Sequence, residues 1–121
     1  MENWIFKILR PTEWSDCQNS VSFTGAPVDI SDGYIHFSTH DQLQETADKH
    51  FSTEQTVYVA AFSSNGWAQS LKWELSRGGQ LFPHLYTPLD MTQAAKYWQL
   101  EKKADGAFDI AAIALWAQNH D

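Results

Sequence analysis

The sequence predicts a small α+β domain, with a mixed, mostly antiparallel and possibly split β-sheet and two or three short helices. Three observations carry this reading. Trp4–Leu9 and Thr56–Phe62 are short, nearly all-apolar runs, the pattern of strands covered on both faces. Tyr34–Ser38 and Leu71–Leu75 alternate instead, so each presents one apolar and one polar face. Asp41–Phe51 repeats apolar residues at helical spacing, with Leu43, Ala47 and Phe51 on one side and Gln44, Glu45, Asp48 and Lys49 on the other.

The elements follow in order. Lys7 interrupts the first strand; it either snorkels to an edge or points a cation into a cleft. Arg10-Pro11-Thr12-Glu13-Trp14 starts a helix with Pro11 in its first turn, running to about Cys17 or Gln18. Val21–Pro27 reads as irregular, with room for a brief strand. Asp29–Gly33 reads as a turn-rich loop, closed by an Asp-Gly dipeptide. The strand Tyr34–Ser38 comes next, and Thr39 with Gln42 forms a capping-box signature for the helix that follows. His40 and His50 read as surface residues of that helix.

Thr56–Phe62 is the second buried strand. Leu71–Leu75 places Leu71, Trp73 and Leu75 on one face and Lys72 and Glu74 on the other. In Leu81–Tyr86, Pro83 lacks an amide donor, which predicts a strand start or an edge position. Met91–Ala94 reads as a turn of helix and Lys96–Glu101 as a strand. Ala104–Ala107 then makes a hairpin into Phe108–Ile110. The tail, 111–121, is apolar enough for a short C-terminal helix.

A chain of 121 residues is expected to form one domain, 1–121, with its own core. The net charge of −7 and the absence of a Lys/Arg cluster argue against an extended nucleic-acid partner. They leave room for a local cationic pocket. The single cysteine, Cys17, allows no internal disulfide and no cysteine metal site. Glu2 and Asn3 come where a signal peptide would be basic, and no run approaches the roughly 20 apolar residues of a membrane span. A cytoplasmic protein without a membrane partner is the expectation; its oligomeric state stays open.

The polar faces of several strands supply the chemistry. Tyr34, His36 and Ser38 share one face, Glu74 another, and His84 and Tyr86 a third. If these strands are neighbours, a histidine beside a carboxylate can act as a general base or hold a ligand hydroxyl. Tyrosine and tryptophan rings, Trp73 among them, would wall the site. The candidate catalytic residues are therefore His36, Glu74 and His84. The candidate ligand-binding residues are Lys7, Tyr34, Ser38, Trp73 and Tyr86. Two other readings stay open: a zinc site from His36, His84 and Glu74, and a non-catalytic interaction module with structural histidines. No resident metal or cofactor is assigned.

Ile5-Phe6-Lys7-Ile8, Trp14, Asp32-Gly33-Tyr34-Ile35-His36-Phe37-Ser38, Gln42, Phe51, Lys72-Trp73-Glu74, Phe82-Pro83-His84-Leu85-Tyr86 and Asp105-Gly106-Ala107-Phe108 together resemble one bacterial family. It is the family catalogued as domain of unknown function 952, and the likeness spans residues 4–110. It implies a small α+β domain and no known reaction. A more distant resemblance is to the ADP-ribosyltransferase fold. There a polar residue on the first strand precedes a G-x-Y-F-S-like strand and a helix, and a later strand carries a third residue. Lys7 stands near the first position, His36 near the second, and Glu74 or His84 near the third. That resemblance implies a cleft for NAD, as substrate, or for a related nucleotide phosphate. Tyr34 or Tyr86 would stack on a ring, His36 would hold ribose or phosphate, and Glu74 would stabilise an oxocarbenium-like ribose.

Overall fold

The computed structural model describes residues 3–120; Met1, Glu2 and Asp121, which the expected 1–121 domain includes, lie outside the described residues. The chain runs β1 (Trp4–Leu9), α1 (Pro11–Asn19), β2 (Ser22–Phe23), α2 (Pro27–Asp32), β3 (Ile35–His36) and α3 (His40–His50). It continues with β4 (Thr56–Ser63), β5 (Leu71–Leu75), β6 (Leu81–Leu85), β7 (Leu89–Asp90), β8 (Lys96–Glu101) and α4 (Ala111–Asn119). One antiparallel sheet has the order β1-β4-β8 and a second the order β3-β6-β5. They touch through one bridge, where Phe6 and Ser38 exchange backbone hydrogen bonds of 2.8 and 2.9 Å. Residues of both sheets around that junction line one cleft. The fold is thus the small α+β domain that the patterning predicts, with its sheet split; among the described residues every strand pairing is antiparallel rather than mixed, and there are four α-helices rather than two or three.

Burial explains the all-apolar strands. On one face of β1 and β4, Phe6, Ile8, Val57, Val59 and Ala61 pack beneath α3 and α4, against Leu43, Ala47, Phe51, Ile113 and Ala117. On the other, Ile5, Leu9, Ala60 and Phe62 meet Phe23, Phe37, Leu89 and Met91. At roughly 25 cal/mol per Å² of apolar surface removed from water, these two layers are the main stabilising term. Three expectations are corrected. Residues 29–33 are not a loop: Pro27 at the first turn and Gly33 at φ 87° bracket the helix α2. Pro83 lies in the central strand β6 rather than at an edge. Its carbonyl accepts from Phe37 N–H at 3.0 Å. Its absent N–H faces the same side, just beyond the end of β3, so the ladder gives up one bond, to Phe37 O, at its margin. The hairpin into Phe108–Ile110 reduces to a single Lys102–Phe108 bridge before α4. The brief strand allowed within Val21–Pro27 is β2, and its partner β7 has no signal in the sequence pattern.

Among the described residues, no helix is long and apolar enough to cross a membrane.

Candidate functional site

The gap between the sheets is a cleft of about 520 Å³, within the size range of small-ligand sites. Lys7, His36, Ser38 and His84 line it, as do Asp29 and Asp32 from α2. Arg10, Thr46, His50 and Arg77 stand along its other side. The cleft therefore gathers three of the eight Lys/Arg residues and three of the five histidines of a chain with net charge −7.

Its inner wall is built around Asp29, 2% exposed. One carboxylate oxygen accepts from Lys7 Nζ at 3.0 Å and from Ala26 N–H at 2.8 Å. The other meets His36 N–H at 3.0 Å and His36 Nδ1 at 2.6 Å. Burial alone would raise this carboxyl's pKa. The His36 hydrogen bond, the Lys7 charge and the backbone N–H groups outweigh it and hold the group well below the ordinary carboxylate range. Burial pulls Lys7 below its usual value, against the opposing charge of Asp29. Lys7 also donates to His36 O at 3.0 Å, so it ties β1 to β3. Gly25 permits this packing: at φ +126°, a Cβ there would stand 2.8 Å from Asp29 Cβ.

His36 and His84 are cross-strand partners, with ring centroids 5.5 Å apart. The second nitrogen of His36 lies 2.9 Å from Asp32 Oδ2, so both of its ring nitrogens face carboxylates. Carboxylates only accept, and both contacts are hydrogen bonds only when both nitrogens carry protons. His84 differs. Its Nδ1 lies 2.8 Å from Glu74 Oε1, and the same oxygen accepts from Tyr86 OH at 2.7 Å. These two hydrogen bonds, Tyr86 first, lower the Glu74 pKa, so Glu74 is an ionised acceptor at neutral pH and Nδ1 carries the proton. The same bond pushes the Tyr86 hydroxyl up to about 12. Tyr34 stacks on the His84 ring at 4.1 Å. His84 Nε2 makes no hydrogen bond, yet among the described residues no buried side-chain nitrogen or oxygen lacks a partner, so this atom keeps some solvent access on a residue that lines the cleft.

The outer wall carries two arginines, each paired with glutamate, Arg10 with Glu13 at 3.6 Å among them. Arg77 donates to His50 Nε2 and Thr46 Oγ1, both at 2.9 Å, and lies over the Phe82 ring at 5.1 Å. Arg10 donates to His50 O at 3.3 Å and lies over the Phe51 ring at 4.5 Å. Glu45 holds Arg77 from outside at 3.0 Å, and Glu54 holds Arg10 at 3.4 Å. Burial and then the Arg77 charge lower the His50 pKa, consistent with its role as acceptor.

Of the residues picked from sequence, Lys7, His36, Ser38 and His84 line the cleft. Glu74, Tyr34 and Tyr86 form a group behind His84. Trp73 is on the opposite face of β5, packed against the core, and does not reach the cleft. Lys7 neither snorkels nor presents a free cation; it is 5% exposed and paired. Among the described residues no His/Cys/Asp/Glu group converges with metal-holding geometry, His36, His84 and Glu74 included. Cys17 is buried, and burial, then Asp16 and Glu13, push its thiol pKa up, away from reactivity. Asp29, Asp32, Arg10, His50 and Arg77 were missed. Ala26-Pro27-Val28-Asp29 carried a readable signal, a Pro at the first helical position with an acid in the same turn. Arg77, beside two glycines in a turn, carried none.

Comparison with known proteins agrees with this architecture. The chain is similar to protein CC0527 from Caulobacter crescentus, with 38% identity and a TM-score of 0.88 to its crystal structure, over 93% of this chain and 98% of that one. A crystal structure of a double mutant of the same protein gives 37% identity and 0.88 over the same shares. Its solution structure gives 38% and 0.81, over 91% of this chain and 95% of that one. No curated protein matches. Residues 8–97 match the family described as "Protein of unknown function (DUF952)", and the chain belongs to that family.

Proposed function

We propose that the cleft binds a small phosphorylated ligand of nucleotide size, its phosphate at the Arg10–His50–Arg77 wall. One observation carries this: two guanidiniums converge on His50 in a strongly acidic chain, each over a phenylalanine ring. A planar, oriented guanidinium is suited to fork-like recognition of phosphate oxygens. Arg77 uses three of its five N–H donors on Glu45, Thr46 and His50 and keeps two for a ligand. The distant ADP-ribosyltransferase likeness points the same way, because it implies a nucleotide cleft beside the first strand and the His36 strand, with NAD as one ligand. In that reading the protein works in the cytoplasm on a soluble metabolite. Lys7 and His36, both occupied by Asp29, shape the wall rather than grip the ligand.

Calorimetric titration with AMP, NAD and inorganic phosphate tests this. Saturable binding of at least one nucleotide is expected, weakening as salt rises. Arg77→Lys keeps the charge and loses the fork, and should weaken binding by about tenfold, or ~1.4 kcal/mol. Failure of every nucleotide to bind overturns the reading and favours an interaction module.

A further inference from the structure

We propose that His84, oriented by Glu74, is the proton acceptor for hydrolysis of a glycosidic bond in the phosphorylated ligand; this rests on the binding reading above. The geometry separates the two ends of the site. Arg77 lies over the Phe82 ring, and His84 is two residues further along β6 on the same face, its Cα roughly 7 Å from that of Phe82. A phosphate held at Arg77 therefore leaves Nε2 facing a part of the ligand several bonds from phosphorus. In a nucleotide that part is the sugar and its glycosidic bond, not the phosphoester.

The chemistry at that end is set by the Glu74–His84 pair. Glu74 accepts from Nδ1–H and fixes the ring in the tautomer whose Nε2 carries a lone pair. Tyr86 anchors Glu74, and the Tyr34 ring holds the imidazole plane by stacking. A water beside Nε2 gives its proton to His84 while its oxygen bonds to the anomeric carbon. The carbon–nitrogen bond breaks with its electron pair on the base. The base leaves from the opposite face: nicotinamide departs neutral, adenine takes a proton from solvent, and the imidazolium gives its proton to solvent, so one water is consumed and free base and sugar phosphate are formed. His36 cannot take this part, since both its nitrogens are held by Asp29 and Asp32. His84 is the catalytic residue and Glu74 a positioning residue.

The test incubates the protein with AMP or NAD and separates free adenine, nicotinamide and inorganic phosphate by chromatography. Free base is expected, and inorganic phosphate is not. His84→Asn keeps a donor to Glu74 but loses Nε2; it should lower turnover about 10²–10⁴-fold with binding unchanged. Glu74→Gln should lower it about 10–100-fold and move the acid limb of the pH–rate profile. Two-bond ¹H–¹⁵N correlation on the free protein should show neutral His84 as the Nδ1–H tautomer. An Nε2–H tautomer, phosphate release, or nucleotide binding without base release overturns the proposal alone. Absence of nucleotide binding overturns the binding reading and this one together.

Discussion

His36 and His84 are register partners on adjacent strands, yet they are built for different work. His36 is wedged between two carboxylates, and the one behind it, Asp29, also holds Lys7 and a backbone N–H. His84 has one carboxylate on one nitrogen and an open second nitrogen. Closing both nitrogens makes an imidazole into a structural cross-link; leaving one open makes it a proton acceptor. Position on the sheet does not decide between them. What decides is whether the carboxylates come from a helix packed inside the sheet gap, as for His36, or from the exposed edge strand, as for His84.

The largest effect should come from breaking the closed side. Asp29→Asn removes the charge that pairs Lys7 and leaves a buried ammonium without its counter-ion. Loss of one partner of a buried pair costs about 3–5 kcal/mol, so urea unfolding should show a collapse of the midpoint. Glu74→Gln, at the half-exposed end of the other pair, should leave that midpoint near wild type. Equal losses in the two variants would erase the distinction.

Acid should separate the two sides in the same way. The folded Asp29 pKa lies below its unfolded value of about 3.9. Its contribution is complete above that unfolded value and is lost as pH falls below it, because the unfolded chain then binds the proton more readily. Stability measured by urea from pH 5 down should decline, and Asp29→Asn should flatten that decline. Unchanged slope in the variant would show that other carboxyls govern it.

The sequence disclosed strands and faces better than it disclosed partners. Period-2 alternation put His36, Ser38, Glu74, His84 and Tyr86 on usable faces, because a strand's side-chain period is fixed by its backbone. The buried strands were legible for the same reason. Lys7 was legible as an anomaly, but not its resolution, since Asp29 is 22 residues away and sits on a helix that reads as turn residues. Trp73 is on a correctly read strand, but alternation puts it on the face of β5 opposite Glu74, the face that packs on the core. Arg10 and Arg77 reach His50 only through tertiary packing, and no local pattern foretells that.

A smaller effect is expected from removing His36 itself. His36→Asn retains one donor and loses the other, and Asp29 still has Lys7, Ala26 and the backbone of residue 36. The cost should be about 1.5–3 kcal/mol, the range for a hydrogen bond to a charged group, below that of Asp29→Asn. Thermal unfolding of the two variants side by side measures the difference. A His36 variant worse than Asp29→Asn would make the imidazole, not the carboxylate, the keystone of the closed side.

The smallest effect belongs to the open side and is spectroscopic. Tyr86 donates to Glu74, and the ionised carboxylate pushes its hydroxyl up to about 12. The folded value stands above the unfolded one of about 10, so the bond is intact below pH 10 and is lost as pH rises through the folded value. Ring ¹³C shifts of Tyr86 should therefore titrate late in the wild type. Glu74→Gln removes the charge and should bring the midpoint back toward 10 without disturbing His36, whose carboxylates are elsewhere. If Tyr86 titrates at an ordinary value in the wild type, Glu74 is not committed to it. The carboxylate that orients His84 would then be free to swing away, and the open nitrogen would lose its fixed tautomer.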